Sequence, residues 1–152
     1  MSNNTTNAVH RIVYLSRASP GLDENAVDQL VQSARKKNAR LGITGVLFFE
    51  RGHFLQVLEG GREDIQVLFQ KIRSDERHSG LQLLVEDDLE SRQFGSWSLA
   101  WTRDNNAILS ERFSELKKSV ASPCPEDLAM IHKFLVVLHD CLPKVDRVGR
   151  ME

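Results

Sequence analysis

The chain has 152 residues, 41% hydrophobic and 27% charged, with a net charge of −1, the profile of one soluble globular domain able to bury a core without disulfides or metals. That balance provides no electrostatic footprint for nucleic acid or an anionic membrane, and no apolar run approaches the ~20 residues that span a bilayer. Cys124 and Cys141 stand outside any Cys-x-x-Cys pattern and Met1–Ala8 is polar rather than a signal peptide, so a reducing, cytoplasmic setting is expected.

After a polar tail over residues 1–9, Arg11–Ser16 alternates as a strand, with Ile12 and Tyr14 on one face and Val13 and Leu15 on the other. Tyr14 is the only tyrosine. Ser19-Pro20-Gly21 makes a turn, and Leu22, Val27, Val31 and Ala34 form one stripe of a helix predicted over Asp23–Asn38. Asn38 continues that stripe, either as a C-terminal cap or as an amide turned inward, with Gly42 supplying the stop. Gly42–Phe49 and Phe54–Gly60 read as a hairpin closed through Glu50–His53. In its second strand, Gln56 shares a face with Phe54 and Leu58 while Leu55 and Val57 point the other way. A buried amide without a partner costs roughly 1–3 kcal/mol, so Gln56 either lies at a half-solvated edge or has a partner elsewhere in the chain.

A second helix is predicted over Arg62–Asp75, burying Ile65, Leu68, Phe69 and Ile72, with Lys71 and Asp75 beside that stripe as an i,i+4 pair. Arg77–Gly80 reads as a connection, Leu81–Glu86 as a fourth strand and Ser96–Trp101 as a short fifth, while Glu86, Asp87, Asp88 and Glu90 fall in a solvated loop. The order β-α-β-β-α-β plus one strand is α+β and ferredoxin-like, with both helices on one face of a mainly antiparallel sheet. Strands apolar on both sides require a cover for the second face. Helices over Ala107–Val120 and Pro125–Leu142 supply it, and the latter has more than one apolar face, suited to the sheet and to a partner chain. Pro143 ends that helix and residues 144–152 form a tail. The five histidines lack ligand spacing, His132 and His139 are expected at the surface, and no metal is assigned. GxxxxGK, GxGxxG and GxSxG motifs are absent.

Tyr14, Asn38, Gln56 and Trp97 are expected to converge on the helix side of the sheet. With Val13-Tyr14-Leu15-Ser16-Arg17-Ala18, Asn38-Ala39-Arg40-x-Gly42-Ile43-Thr44-Gly45, Phe54-Leu55-Gln56-Val57-Leu58-Glu59-Gly60, Asp75-x-Arg77-His78 and Trp97-Ser98 in that order, the chain resembles the BLUF family, sensors of blue light using FAD, over residues 10–104. The resemblance implies a flavin held non-covalently between the two helices, FAD in the first place, with FMN left open by the sequence. Asn38 would bond the pyrimidine edge of the ring, Lys37 would approach a ring carbonyl, Lys71 and Asp75 would lie near the ring and ribityl chain, and Arg77 and His78 would stand where the outer moiety leaves the pocket. Tyr14, Gln56 and Trp97 are the implied photoactive residues. In that reading Tyr14 yields an electron and then a proton to the excited flavin, and Gln56 rotates or tautomerises, strengthening its bond to a flavin carbonyl. Leu99 stands where relatives often carry methionine, which leaves the signal path through the fifth strand open.

The implied protein is a light sensor rather than an enzyme, of the short stand-alone type. Residues 105–143 would serve as its two-helix cap and output segment, acting through self-association in a homo-oligomer or through a separate regulatory protein. Two readings compete. A small acylphosphatase-like hydrolase would use Arg17 and Asn38, but Ser19-Pro20-Gly21 lacks a glycine-rich anion cradle. A non-photosensory interaction module of the same fold would leave Tyr14 and Gln56 merely satisfying one another.

Overall fold

The computed structural model describes residues 8–103, 107–120 and 126–142. Its elements are β1 (Val9–Ala18), α1 (Glu24–Leu41), β2 (Thr44–Glu50), β3 (His53–Gly60), α2 (Arg62–Arg73), β4 (His78–Leu89), β5 (Ala100–Arg103), α3 (Ala107–Val120) and α4 (Glu126–Cys141). The strands form one five-stranded sheet in the order β4-β1-β3-β2-β5. β3 runs antiparallel to β1 and β2, β4 antiparallel to β1, and β5 parallel to β2. This is the expected α+β arrangement with two C-terminal helices. The expected tails fall almost wholly outside the described residues, as do residues 104–106.

Local chemistry sets the boundaries. Asp23 caps α1 by accepting from the Ala26 N–H at 2.8 Å, and Gly42, with φ of 71°, ends the helix in the left-handed conformation. The helix therefore runs three residues past Asn38, which is buried and is not the cap. Arg51 (φ 49°) and Gly52 (φ 80°) turn the β2–β3 hairpin with two consecutive positive φ angles, the geometry that matches strand twist.

The differences from expectation that bear on the site lie in β4, β5 and α2. β4 takes in both the predicted connection at His78–Gly80 and the predicted acidic loop at Glu86–Asp88. The acidic residues extend the strand because β1 sets side-chain partners beside them. Buried His10 contacts Glu86 and Asp88 at 2.8 Å through its two ring nitrogens, and the buried Arg11 guanidinium grips Asp87 at 2.9 and 2.7 Å. The His10 bond holds the Glu86 carboxyl below its usual range. β5 begins only at Ala100, because the carbonyls of Ser98 and Leu99 are taken by side chains of α1. α2 ends at Arg73, before Asp75.

The two sheet faces are covered differently. Val13, Leu15, Val46, Phe48, Leu55 and Val57 pack with α3 and α4 in one large cluster. On the opposite face, Ile12, Tyr14 and Leu58 pack with Ile65 and Phe69 of α2, whereas Leu47 and Phe54 pack with Val27 and Val31 of α1. Between these two smaller clusters lies a cleft.

Candidate functional site

The cleft has a volume of about 400 Å³ and is walled by α1 and α2, with the sheet as its floor, a size and apolar character suited to a cofactor ring. Strand alternation places Tyr14 and Gln56 on its floor, and they stand directly opposite each other in the β1–β3 register. Both are almost fully buried, and the Tyr14 hydroxyl donates to Gln56 Oε1. Burial first, and the Asp75 carboxylate second, push the Tyr14 hydroxyl well above the usual phenol range. The tyrosine ring lies 5.9 Å from Phe69 and edge-on to His78 at 6.1 Å.

Asn38, buried at the inner side of α1, donates from Nδ2 to the Ser98 carbonyl at 3.0 Å. Because that carbonyl can only accept, the bond turns Asn38 Oδ1 away from it. Among the described residues nothing pairs with Asn38 Oδ1 or Gln56 Nε2. Two amides at one apolar cleft thus keep a free acceptor and a free donor, the complement of a ring edge bearing N–H and C=O groups.

Lys37 and Lys71 line the cleft from exposed positions, without carboxylate partners among the described residues. The expected Lys71–Asp75 pair is therefore absent. With α2 already ended, Asp75 accepts instead from the Arg77 backbone N–H at 2.9 Å and from its guanidinium at 2.6 Å. The Arg77 bond lowers the Asp75 pKa to about 2. Arg77 stands exposed at the rim, while His78 is half-buried and held on both sides. His78 Nε2 donates to the Ile72 carbonyl at 2.6 Å, and its Nδ1 bonds Ser16 Oγ at 2.8 Å.

The expected convergence holds for Tyr14, Asn38 and Gln56 but not for Trp97. Trp97 belongs to the cluster on the other face of the sheet, beside Phe94 and edge-on to His139 of α4 at 5.6 Å. His139 is accordingly half-buried rather than a free surface residue. Leu99, two residues on, takes the place at the cleft wall. Residues 96–99 are not a strand, so alternation could not assign these sides. Two residues at the site were missed. Arg35 donates to the Leu99 carbonyl at 3.0 Å, and its place between Val31 and Asn38 on the α1 stripe was the available signal. Ser16 shares the Ile12–Tyr14 face of β1, where a buried serine calls for a partner. Among the described residues no group of three or more His, Cys, Asp or Glu side chains could hold a metal, and no helix is long and apolar enough to cross a membrane.

A family description, BLUF, sensors of blue-light using FAD, matches residues 9–100. The chain belongs to the BLUF family. The domain is therefore a blue-light sensor that uses FAD. Its relatives include a photoactivated adenylate cyclase subunit beta of Euglena longa, 32% identical over 100 residues, covering 64% of this chain and 12% of the relative. The blue light- and temperature-regulated antirepressor BluF of Escherichia coli is 30% identical over 84 residues, 55% of this chain and 21% of that protein. The chain thus spans about an eighth to a fifth of the length of these curated relatives. Among solved structures, the dark state of BlrB, a BLUF protein, superposes with a TM-score of 0.70 at 28% identity, covering 87% of this chain and 98% of BlrB. The BLUF domain itself is a sensing unit, and the cyclase relatives show that it occurs joined to enzymes.

Proposed function

We propose that the protein is a reversible blue-light switch whose sensing element is the Tyr14–Gln56 pair and whose output is a change in protein contacts rather than catalysis. The observation that carries this reading is the placement of that bonded, buried pair on the floor of one cleft with the free amide ends of Asn38 and Gln56.

Bound flavin supplies an oxidant that blue light turns on. The chain's residues do the rest. Tyr14 keeps its proton on Oη at neutral pH, because burial disfavours the phenolate. A hydroxyl can donate to Gln56 Oε1 or, once the amide has turned, accept from Nε2, so either arrangement satisfies the pair. Rotation or tautomerisation of Gln56 exchanges donor for acceptor at its cleft end with almost no change of volume. Asn38 would offer Oδ1 to a ring N–H. Lys37 would face a ring carbonyl, Lys71 and Asp75 the ring and ribityl chain, and Arg77 and His78 the exit of the outer moiety. Since the cleft need hold only ring and ribityl parts, FMN would serve as well as FAD.

The output surface is the opposite face. α4 exposes Leu128, Met130 and Val136 while its other side packs under Trp97, which supports contact with a second copy or with a regulatory protein. The antirepressor relative favours a regulatory protein as that partner. Absorption spectra before and after blue light test the sensing element. Tyr14→Phe and Gln56→Leu each retain flavin and lose the small red shift; a normal shift in either variant overturns the assignment. Size-exclusion profiles and pull-downs that are identical in dark and light would overturn the output reading.

A further inference from the structure

Glu59 has no part in the sensing reaction as described above, although it is a carboxylate with zero exposure on the strand that carries Gln56. A buried charge is costly unless each lone pair is met, and here the partners are unusual. Glu59 Oε2 accepts from the Gln93 N–H at 2.8 Å, and Oε1 accepts from the Phe94 N–H at 3.0 Å and from Thr44 Oγ1 at 3.1 Å. Arg92 adds bonds to Thr44 Oγ1 at 2.9 Å and to the Glu59 carbonyl at 3.3 Å. The carboxylate therefore grips the start of the irregular segment 92–99 by its backbone.

The far end of that segment is held from the cleft side. Asn38 bonds the Ser98 carbonyl and Arg35 the Leu99 carbonyl, each at 3.0 Å, and the Gly45 N–H bonds the Trp97 carbonyl at 3.0 Å. The segment's side chains then divide between the two faces, Leu99 to the cleft wall and Phe94 and Trp97 to α4. From this geometry we infer that Glu59 is a positioning residue of the light sensor, fixing segment 92–99 so that a change at Gln56 and Asn38 is held in place and passed to α4. The inference rests on the photosensor reading given above. Glu59 does not touch the cleft. It acts through Ser98, whose carbonyl is bonded to the cleft residue Asn38, and through Leu99, which lines the cleft.

Glu59→Gln tests this with nearly unchanged volume. Whichever way the amide is turned, one of its ends presents N–H groups to a backbone N–H that now has no acceptor. With flavin-loaded protein, Glu59→Gln is expected to retain cofactor and light-induced shift, while dark recovery quickens by at least about tenfold, the size expected from losing a hydrogen bond to a charged group. In the dark, amide exchange quickens in residues 92–99 and stays unchanged in α2. Recovery at the unmodified rate overturns the inference whether or not exchange changes. If Glu59→Gln loses flavin, Thr44→Val removes one donor from the same carboxylate and must accelerate recovery in the same direction; unmodified recovery there also overturns it. An unmodified protein that shows no light-induced shift would overturn the photosensor reading instead, and exchange in residues 92–99 would still judge the hold of Glu59 on the segment.

Discussion

On the face covered by α3 and α4, side chains from every strand and both helices interlock in one continuous cluster, whereas on the α1 and α2 face the apolar residues divide into two clusters with the cleft between them. The first face has Phe48 at 4.9 Å from Phe113 and 5.5 Å from Phe134, edge to ring. In the corresponding place on the second stand Tyr14, Gln56 and Asn38. A fold of this size gains most of its stability from a filled core, so polar side chains around a gap in the middle of one face mark the place where a ligand completes the core. The cofactor would then complete the packing of one face and add no packing to the other.

A matched pair of truncations gives the largest effect and could break this contrast outright. Leu116 on α3 has zero exposure within the closed cluster, and Leu47 on β2, almost equally buried, borders the cleft. Leu→Ala costs range from about 2.7 to 5.0 kcal/mol with the size of the cavity left behind. Leu116→Ala should fall at the upper end. Leu47→Ala in flavin-free protein should fall at the lower end, because the deleted atoms border existing space. Urea unfolding of both variants checks the order, and equal costs would mean that the two faces are packed alike.

Flavin titration sharpens the same contrast at smaller amplitude. Flavin at about 100 times its dissociation constant should stabilise the folded protein by about 2.7 kcal/mol, seen as a rise in melting temperature. The gain should be unchanged in Leu116→Ala and reduced in Leu47→Ala, whose side chain lines the cleft.

How much of this was legible in the sequence also divides by face and by regularity. Wherever strands alternate, the reading transferred directly: Tyr14 and Gln56 stand on one face as the period of two requires, and α3 begins and ends where its apolar spacing does. The reading failed where a residue's setting depends on a distant partner. Glu86, Asp87 and Asp88 look like loop residues until His10 and Arg11 are placed beside them. Asp75 looks like the partner of Lys71 until the helix ends two residues earlier and Arg77 claims it. Trp97 could not be assigned to a face because the backbone before β5 follows no repeat. Glu59 carried the same signal as Gln56, a polar residue in a strand apolar on both sides, and the large cost of burying its charge implied a set of donors that local spacing could not name.

The smallest effect is a titration, and it tests whether the cleft floor is as dry as the opposite core. Tyr14 is the only tyrosine in the protein, so ultraviolet absorbance reports its ionisation alone. In the unfolded chain the phenol titrates near its ordinary value of ~10. In the folded state burial and then Asp75 raise it. Below ~10 both states keep the proton and the contribution to stability is fully present; above it the unfolded chain releases the proton while the fold holds it, so stability falls as pH rises towards the folded value. Asp75 stays ionised throughout that window, because Arg77 lowers its pKa to about 2. Asp75→Asn should therefore bring the Tyr14 titration down only part of the way, since burial is the larger cause. A full return to the ordinary phenol value in that variant would mean that water reaches Oη, and that the polar pair rests in a wet groove rather than in the missing half of a core.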